Sequence, residues 1–292
     1  GRPVLMFLHG FPEGAFVWDA MLLHFSKPEN GGYRCVAPNL RGFERSSAPT
    51  DVSAYRPKHL VQDIAALIAI ECDHVDGPRS SPDDALGGQL ACLVAHDWGG
   101  AVAWNLANQR PELAKKLAII NSPHPGTFWR ELCHSPAQQA ASAYMNFLVR
   151  PDAEALLAAD DYRRLWAFFT NMFAASGAFA WLTDAVKDQY REVWNHGLRG
   201  GCNYYRASPL RPPTADDPGA AGVTLPPAML TINLPTLVIW ALDDIALPPA
   251  LIDGLDAYVP QLRLERVEHA THWIVHEQPA LVARLLAQHL LS

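Results

Sequence analysis

The chain has 292 residues, 49% of them hydrophobic and 18% charged, and a formal net charge of −7 at pH 7. This composition is typical of a soluble globular protein with one large domain or two unequal ones. The acidic balance, with no cluster of Lys or Arg, argues against nucleic acid as a partner, and no apolar segment is long enough to span a bilayer. Five scattered cysteines without a C-x-x-C pair predict reduced thiols in a cytoplasmic protein.

The first apolar run, residues 4–8, ends abruptly in HGFPE at residues 9–13. A strand followed at once by Gly and Pro predicts a sharp turn at the carboxyl end of a sheet strand, where open α/β sheets build their sites. Such a turn can direct a backbone N–H, that of Phe11, towards a neighbouring element. A plain strand-ending loop is the alternative.

A second short strand is predicted at residues 33–38, and a helix with one apolar face at residues 58–71. Residues 73–88 are polar, with two Pro and three Gly, and predict a surface loop.

The strongest signal lies in residues 89–103, where an apolar half predicts a buried strand and an Ala-rich half predicts a helix. Between them stands Asp97, with small residues at Ala95, Gly99 and Gly100. This is the spacing of a nucleophile elbow, with Asp where a hydrolase usually has Ser. A carboxylate at the end of a buried strand is costly unless it is used or well hydrogen-bonded. The alternative is an ordinary helix N-cap.

Another strand is predicted at residues 117–121, and the alternation of strands and helices specifies a largely parallel, doubly wound sheet. The stretch that follows is helical and rich in aromatic residues. The sheet resumes with strands at 237–241 and 262–267, before a terminal amphipathic helix at 280–291.

The predicted domain organisation is therefore an α/β core with a helical insertion. We expect the core to comprise residues 1–122 and 231–292, and a helical cap domain to occupy residues 123–230.

Three titratable residues lie just past the ends of three predicted strands, and they are Asp97, Asp244 and His272. The order nucleophile, acid, His is that of an α/β-hydrolase, in which a carboxylate orients the His as a general base. Asp243 is a rival for the acid, and His269 and His276 are rivals for the base. No Glu follows His272 in an H-E-x-x-H pattern, so we expect no metal site.

The sequence resembles the α/β-hydrolase-fold epoxide hydrolases over essentially its whole length. HGFPE at residues 9–13 is similar to the oxyanion loop of that family, in which the Phe-Pro bond is usually cis, and HDWGG at residues 96–100 is similar to its nucleophile motif. NYYR at residues 203–206 and AYMNF at residues 143–147 are similar to the cap motifs that carry its two catalytic tyrosines. HDWGG together with NYYR is specific, whereas HGFP is shared more widely.

The resemblance implies an α/β-hydrolase fold with an inserted helical cap and assigns Asp244, rather than Asp243, as the acid, because the family pattern after this strand is small-x-x-Asp. The catalytic residues that it implies are Asp97, Asp244, His272, Tyr144 and Tyr205. The oxyanion hole that it implies is formed by the backbone N–H groups of Phe11 and Trp98. The substrate-binding residues that it implies are Phe11, Pro12, Trp98, Tyr144 and Tyr205.

The sequence departs from the family pattern in four places. Asn39 replaces the usual Asp after the second strand, Glu44 and Arg45 are unusual in the loop that follows, and the loop at residues 73–88 is longer than common. The two strands that normally precede the HGFP strand are not in the sequence. None of these differences touches the expected chemistry.

An Asp nucleophile also restricts the reaction. Attack on an ester carbonyl gives a reactive anhydride, whereas attack on an sp³ carbon gives an alkyl ester that water can hydrolyse in a second step. We therefore expect a small-molecule epoxide, styrene-oxide-like or aliphatic, and water as substrates and a 1,2-diol as product. We expect no cofactor, and a monomer or homodimer.

Two alternatives remain at this stage. A hydrolytic dehalogenase uses the same fold and nucleophile, but halide and haloacid sites need donors that are partly missing here. Phe11 stands where haloalkane dehalogenases often have Asn, although Trp166 or Trp181 could supply a second indole. Trp98 and Ala101 stand where haloacetate dehalogenases have Arg. A non-catalytic binding module is the other alternative, and the intact Asp97, Asp244 and His272 argue against it.

Overall fold

A computed structural model describes residues 2–72, 88–170 and 180–292. Its centre is one sheet of six parallel strands in the order β2-β1-β3-β4-β5-β6. The strands are β1 (Val4–Leu8), β2 (Arg34–Val36), β3 (Cys92–His96), β4 (Leu117–Ile120), β5 (Thr236–Ala241) and β6 (Leu262–Val267). Each predicted strand is present, within a few residues of its predicted bounds. The predicted loop at residues 73–88 lies, except for Gly88, outside the described residues.

Eleven α-helices are described. They are α1 (Asp19–Phe25), α2 (Pro57–Cys72), α3 (Asp97–Gln109), α4 (Pro125–His134), α5 (Pro136–Ala141), α6 (Tyr144–Leu148), α7 (Ala153–Thr170), α8 (Asp184–Asn195), α9 (Arg199–Ala207), α10 (Ile274–Glu277) and α11 (Pro279–Leu291). Helix α7 is kinked at residues 159–162. None of the described helices is long and apolar enough to cross a membrane.

Both faces of the sheet are covered, which explains why its strands are nearly continuous apolar runs. In β1, Met6 and Leu8 point into the core beneath α2 and α3, whereas Leu5 and Phe7 point into the core beneath α1 and α11. All five β1 residues are fully buried. Burial on two sides at a period of two residues is what the pleat of a strand requires.

The insertion in the sheet falls between β4 and β5. Helices α4 to α9 lie there, and the described residues between those two strands include no β-strand. Because all six strands are parallel, their carboxyl ends meet at one edge of the sheet, and the loops after β1, β3, β4, β5 and β6 lie together there. The insertion begins at the same edge. The domain boundaries at residues 122/123 and 230/231 remain a prediction.

Candidate active site

Asp97 is the residue at which β3 turns into α3. Its φ is +49°, in the left-handed region that is uncommon for a residue other than glycine. The turn brings α3 very close to β1, because a Cβ placed on Gly99 would lie 2.5 Å from the carbonyl oxygens of Leu8 and His9. This strand–turn–helix geometry is that of a nucleophile elbow and presents the carboxylate at the edge of the sheet.

The residues predicted as the acid and the base lie beside this carboxylate. Nδ1 of His272 is 2.7 Å from Oδ2 of Asp244, and Nε2 of His272 is 3.6 Å from Oδ2 of Asp97. Asp244 is buried and its rival Asp243 is exposed. The structure thus brings Asp97, His272 and Asp244 into one line of contacts.

The two rival histidines lie elsewhere. His269 is exposed. His276 is stacked on Trp181, with ring centroids 4.3 Å apart, and its Nε2 lies 3.3 Å from Oε1 of Glu13. Among the described residues no group of three or more His, Cys, Asp or Glu could hold a metal ion.

Every lone-pair direction of the Asp244 carboxylate is used. Its Oδ2 accepts from the amide of Asn121 at 2.8 Å as well as from His272, and its Oδ1 accepts from the backbone N–H groups of Ala246 and Leu247 at 2.9 and 3.0 Å. Burial opposes ionisation of this carboxyl, but His272 and these donors outweigh it and hold its pKa below the usual value. Asp244 is therefore an anion at neutral pH.

Burial and neighbouring charges also have opposing effects on the pKa of His272. Burial lowers its pKa, but the charges of Asp244 and Asp97 outweigh the burial and raise the pKa well above the ordinary value. In the free site, His272 is an imidazolium that lies between two carboxylates.

One backbone N–H group contacts the carboxylate of Asp97, and a second follows Asp97 directly in the chain. The N–H of Phe11 donates to Oδ1 of Asp97 at 2.7 Å, and the Phe11–Pro12 peptide bond is cis, as the resemblance implied. Trp98 is the second residue of α3, and its N–H is one of the group at a helix N-terminus that has no partner within the helix. These are the two N–H groups predicted for the oxyanion hole.

Tyr144 and Tyr205 come from α6 and α9 and meet above Asp97. Their rings are in edge-to-face contact with centroids 6.1 Å apart, and Tyr205 also packs against Trp98 at 5.0 Å. Burial raises the pKa of both phenols well above the ordinary value, and the charge of Asp97 acts in the same direction. Both hydroxyl groups therefore remain protonated and can donate hydrogen bonds.

A cavity of about 240 Å³ opens in front of this group. Asp97, Trp98, Tyr144 and Tyr205 are among the residues that line it, and the rest of its lining is mainly apolar and includes Phe128, Met145 and Leu230. Asp97 is the one charged residue among the described residues that line the cavity. An uncharged, largely apolar molecule of modest size fits such a site.

Two predicted substrate contacts are not on the cavity wall. The ring of Phe11 packs behind Tyr205, with centroids 5.3 Å apart, and the carbonyl of Pro12 accepts from the indole of Trp194 at 2.7 Å. Phe11 reaches the site through its backbone N–H, and Pro12 lies among the residues that support the loop.

Several buried polar residues around the site are not among those that the sequence motifs predict as catalytic or substrate-binding. Glu13 accepts from Tyr190 at 2.9 Å and lies 3.0 Å from Nδ1 of His96, whose Nε2 is 2.9 Å from the carbonyl oxygen of His272. Asn121 and Ser122 follow β4 directly. For Asn121 and Ser122, the sequence pattern that indicates a role is two polar residues directly after a fully apolar strand, at the edge of the sheet where sites form.

Comparison with known proteins identifies the family of the chain and several relatives. A family model described as the alpha/beta hydrolase fold matches residues 3–279. The AB hydrolase superfamily protein YfhM of Bacillus subtilis is 33% identical over 292 residues, covering 99% of this chain and 90% of the relative. Human epoxide hydrolase 4 is 30% identical over 291 residues, covering 98% of this chain and 72% of the relative.

Solved structures give the same result. The epoxide hydrolase of Bacillus megaterium, determined with an inhibitor, superposes with a TM-score of 0.84 at 28% sequence identity, covering 100% of this chain and 94% of that one.

The chain belongs to the α/β-hydrolase family. Within that family its likeness is to epoxide hydrolases, so the resemblance inferred from the motifs and the predicted fold class are confirmed. The expected class of protein, a hydrolase, is confirmed with them.

Proposed function

We propose that the chain hydrolyses epoxides to 1,2-diols through an alkyl ester of Asp97. The observation that carries the proposal is that a carboxylate nucleophile and two protonated phenols line the same apolar cavity. An epoxide needs both groups, because the carbon is attacked from one side while the oxygen leaves as an alkoxide that must be stabilised on the other.

The first step is ring opening. Asp97 attacks an epoxide carbon, the C–O bond breaks, and the hydrogen bonds from Tyr144 and Tyr205 to the epoxide oxygen strengthen as the negative charge develops. A phenol proton, replaced from solvent, completes the hydroxyl of the ester.

The second step is ester hydrolysis. His272 in its neutral form removes a proton from water, which attacks the carboxyl carbon of Asp97, while Asp244 stabilises the imidazolium that forms. The N–H groups of Phe11 and Trp98 stabilise the tetrahedral oxyanion. Collapse releases the diol and restores the Asp97 carboxylate.

The alternative function, dehalogenation, is less well supported, because the donors that a halide or a haloacid needs are partly missing. The indole N–H of Trp166 is used by the carbonyl of Asp161 at 2.9 Å, and neither Trp166 nor Trp181 lines the cavity. A haloacid carboxylate in this cavity meets Asp97 without a cationic partner among the described lining residues, a penalty of several kcal/mol.

The deciding experiment is a substrate panel on one preparation of enzyme. Styrene oxide, an aliphatic terminal epoxide, a 1-haloalkane and a haloacetate are incubated separately, and diol and halide are both quantified. We expect diol from the epoxides and little or no halide. Halide release faster than diol formation across the panel overturns the proposal in favour of a dehalogenase. Ligand binding without turnover of any compound favours a binding module.

A further inference from the structure

Two polar residues with no assigned role, Asn121 and Ser122, follow β4 and are almost completely buried. Strand β4 lies between β3, which leads to Asp97, and β5, which leads to Asp244. The end of β4 is therefore the one strand end that adjoins both the nucleophile and the acid.

Asn121 makes its hydrogen bonds with Asp244 and with β5, the strand that leads to Asp244. Its Nδ2 donates to Oδ2 of Asp244 at 2.8 Å, and its Oδ1 accepts from the backbone N–H of Ala241, the last residue of β5, at 2.9 Å. Its backbone N–H donates to the carbonyl of Ile239 in the same strand. With φ at +39° the residue is in the left-handed region, a conformation that surrounding contacts must maintain.

Ser122 makes its hydrogen bonds with Asp97 and with α3, the helix that begins at Asp97. Its hydroxyl donates to the carbonyl oxygen of Asp97 at 2.6 Å, and its own carbonyl accepts from the indole of Trp104 on α3 at 3.2 Å. The approach to α3 is close, because a Cβ placed on Gly100 would lie 2.3 Å from Cβ of Ser122.

We propose that Asn121 and Ser122 are a pair of positioning residues that serve different half-reactions, Asn121 through Asp244 and Ser122 through Asp97. The inference rests on the proposed two-step function. Neither residue needs to react with the substrate for this role.

The oxygen of Asp244 that holds His272 also takes the amide of Asn121, so Asn121 limits rotation of the carboxylate that orients the base. The base acts in ester hydrolysis. Ser122 instead holds the main chain of the strained elbow, which sets the direction of the Asp97 carboxylate towards the two phenols. That direction matters most in ring opening, since a misplaced nucleophile loses alignment with the breaking bond.

The test separates the two steps in single turnovers. Epoxide is mixed with excess enzyme, samples are quenched with acid, and intact-mass spectrometry follows formation and loss of the alkyl-enzyme. For Asn121→Ala we expect hydrolysis to slow by about tenfold or more and ring opening by less than about threefold, so the adduct accumulates. For Ser122→Ala we expect ring opening to slow by about five- to tenfold, with hydrolysis within about threefold and no accumulation.

Asn121→Asp guards against a failure of Asn121→Ala to fold. It keeps the acceptor for the Ala241 N–H and replaces the donor to Asp244 with an oxygen. We expect slower ester hydrolysis and a shift of its pH midpoint to higher pH, because a further negative charge beside Asp244 favours the imidazolium of His272. The added charge moves the midpoint whatever role Asn121 has, so the ratio of the two steps is the deciding readout, and a purely structural role of Asn121 leaves that ratio unchanged.

Thr236→Val is the matched control. It removes a buried hydroxyl that donates to the carbonyl of Leu234 at 2.8 Å, at the opposite end of β5 from the site, and should leave the ratio of the two rate constants unchanged. The inference is overturned if the Asn121 and Ser122 variants slow both steps by one common factor or slow neither. A wild-type enzyme that forms neither adduct nor diol refutes the proposed function itself.

Discussion

His272 lies between two carboxylates, with Nδ1 2.7 Å from Asp244 and Nε2 3.6 Å from Asp97. Burial lowers the pKa of His272 and the two charges raise it, with the charges prevailing. In the proposed mechanism, formation of an ester at Asp97 removes one of the charges, so the pKa of His272 falls as the first step is completed. The fall favours the neutral form of His272 at the stage at which a base is needed.

A variant that lacks this base should trap the intermediate. In His272→Gln we expect ring opening to outpace hydrolysis, so that intact-mass spectrometry after addition of epoxide shows a protein-plus-substrate adduct that maps to the peptide containing Asp97. Asp97→Asn is the control and should show no adduct.

Isotope labelling of the wild type provides a second check on the ester. In a single turnover in ¹⁸O-water, the first diol should carry unlabelled oxygen from Asp97. A diol that is already labelled in that turnover contradicts the ester mechanism.

The two phenols should act in ring opening and much less in hydrolysis. Their raised pKa values keep them protonated, and a neutral donor is useful where an alkoxide develops. We expect Tyr144→Phe or Tyr205→Phe alone to slow alkylation by about ten- to a hundredfold, and the double variant to nearly abolish it. The measurement is the single-turnover alkylation rate. Wild-type rates in both single variants would refute the assignment of these tyrosines.

At the scale of elements, the elbow depends on how closely α3 approaches β1. The atoms nearest to a Cβ on Gly99 belong to the backbone of Leu8 and His9, at 2.5 Å, and backbone within a six-stranded sheet cannot move aside independently. The close approach also sets the distance between the N–H of Phe11 and the carboxylate of Asp97. Stability and site geometry are therefore coupled at this one contact.

Gly99→Ala should consequently destabilise the protein by at least about 2 kcal/mol, since the added methyl group overlaps atoms that have no room to relax. Thermal denaturation measures the loss. Gln109→Ala, at an exposed position of the same helix, is the control and should change stability by less than about 0.5 kcal/mol. A Gly99→Ala protein as stable as the wild type would show that the helix shifts freely on the sheet.

At the scale of the whole molecule, three buried histidines contribute to the response to acid. Burial lowers the pKa values of His9, His124 and His289 to about 4. At His9 a hydrogen bond acts in the same direction as burial, because its Nε2 accepts from the N–H of Leu40 at 3.0 Å and can do so only when that nitrogen is unprotonated. A pKa below the unfolded value contributes stability that is present above about 6.5 and is lost as the pH falls towards about 4.

The unfolding free energy should therefore decrease between about pH 6.5 and pH 4, by up to about 3 kcal/mol for each such histidine. His272, whose pKa is raised, contributes in the opposite sense, since its stabilisation is full below about 6.5 and disappears as the pH rises through its folded value. Urea denaturation across this pH range measures the summed contribution of these histidines to the unfolding free energy. His289→Gln, remote from the site, should flatten the slope, and an unchanged slope contradicts the account.

Local sequence determined much of this protein. Buried parallel strands are apolar runs whatever their neighbours are, so all six were predictable, and the elbow at Asp97 could be identified because a tight turn restricts the residues on either side of it. The motifs around Phe11, Trp98 and Tyr205 carried the family likeness for the same reason.

The resemblance had pointed to Asp244 and His272, but only the tertiary structure supplies the physical reason for preferring them to their neighbours in the sequence. Asp243 and Asp244 have the same chemistry, but one is exposed and the other is buried among four donors; His269 and His276 likewise lie away from Asp244. Asn121 reaches Asp244 across 123 positions of the chain. Such partners depend on strand order and register, because hydrogen bonds and burial in the site join residues from different strands.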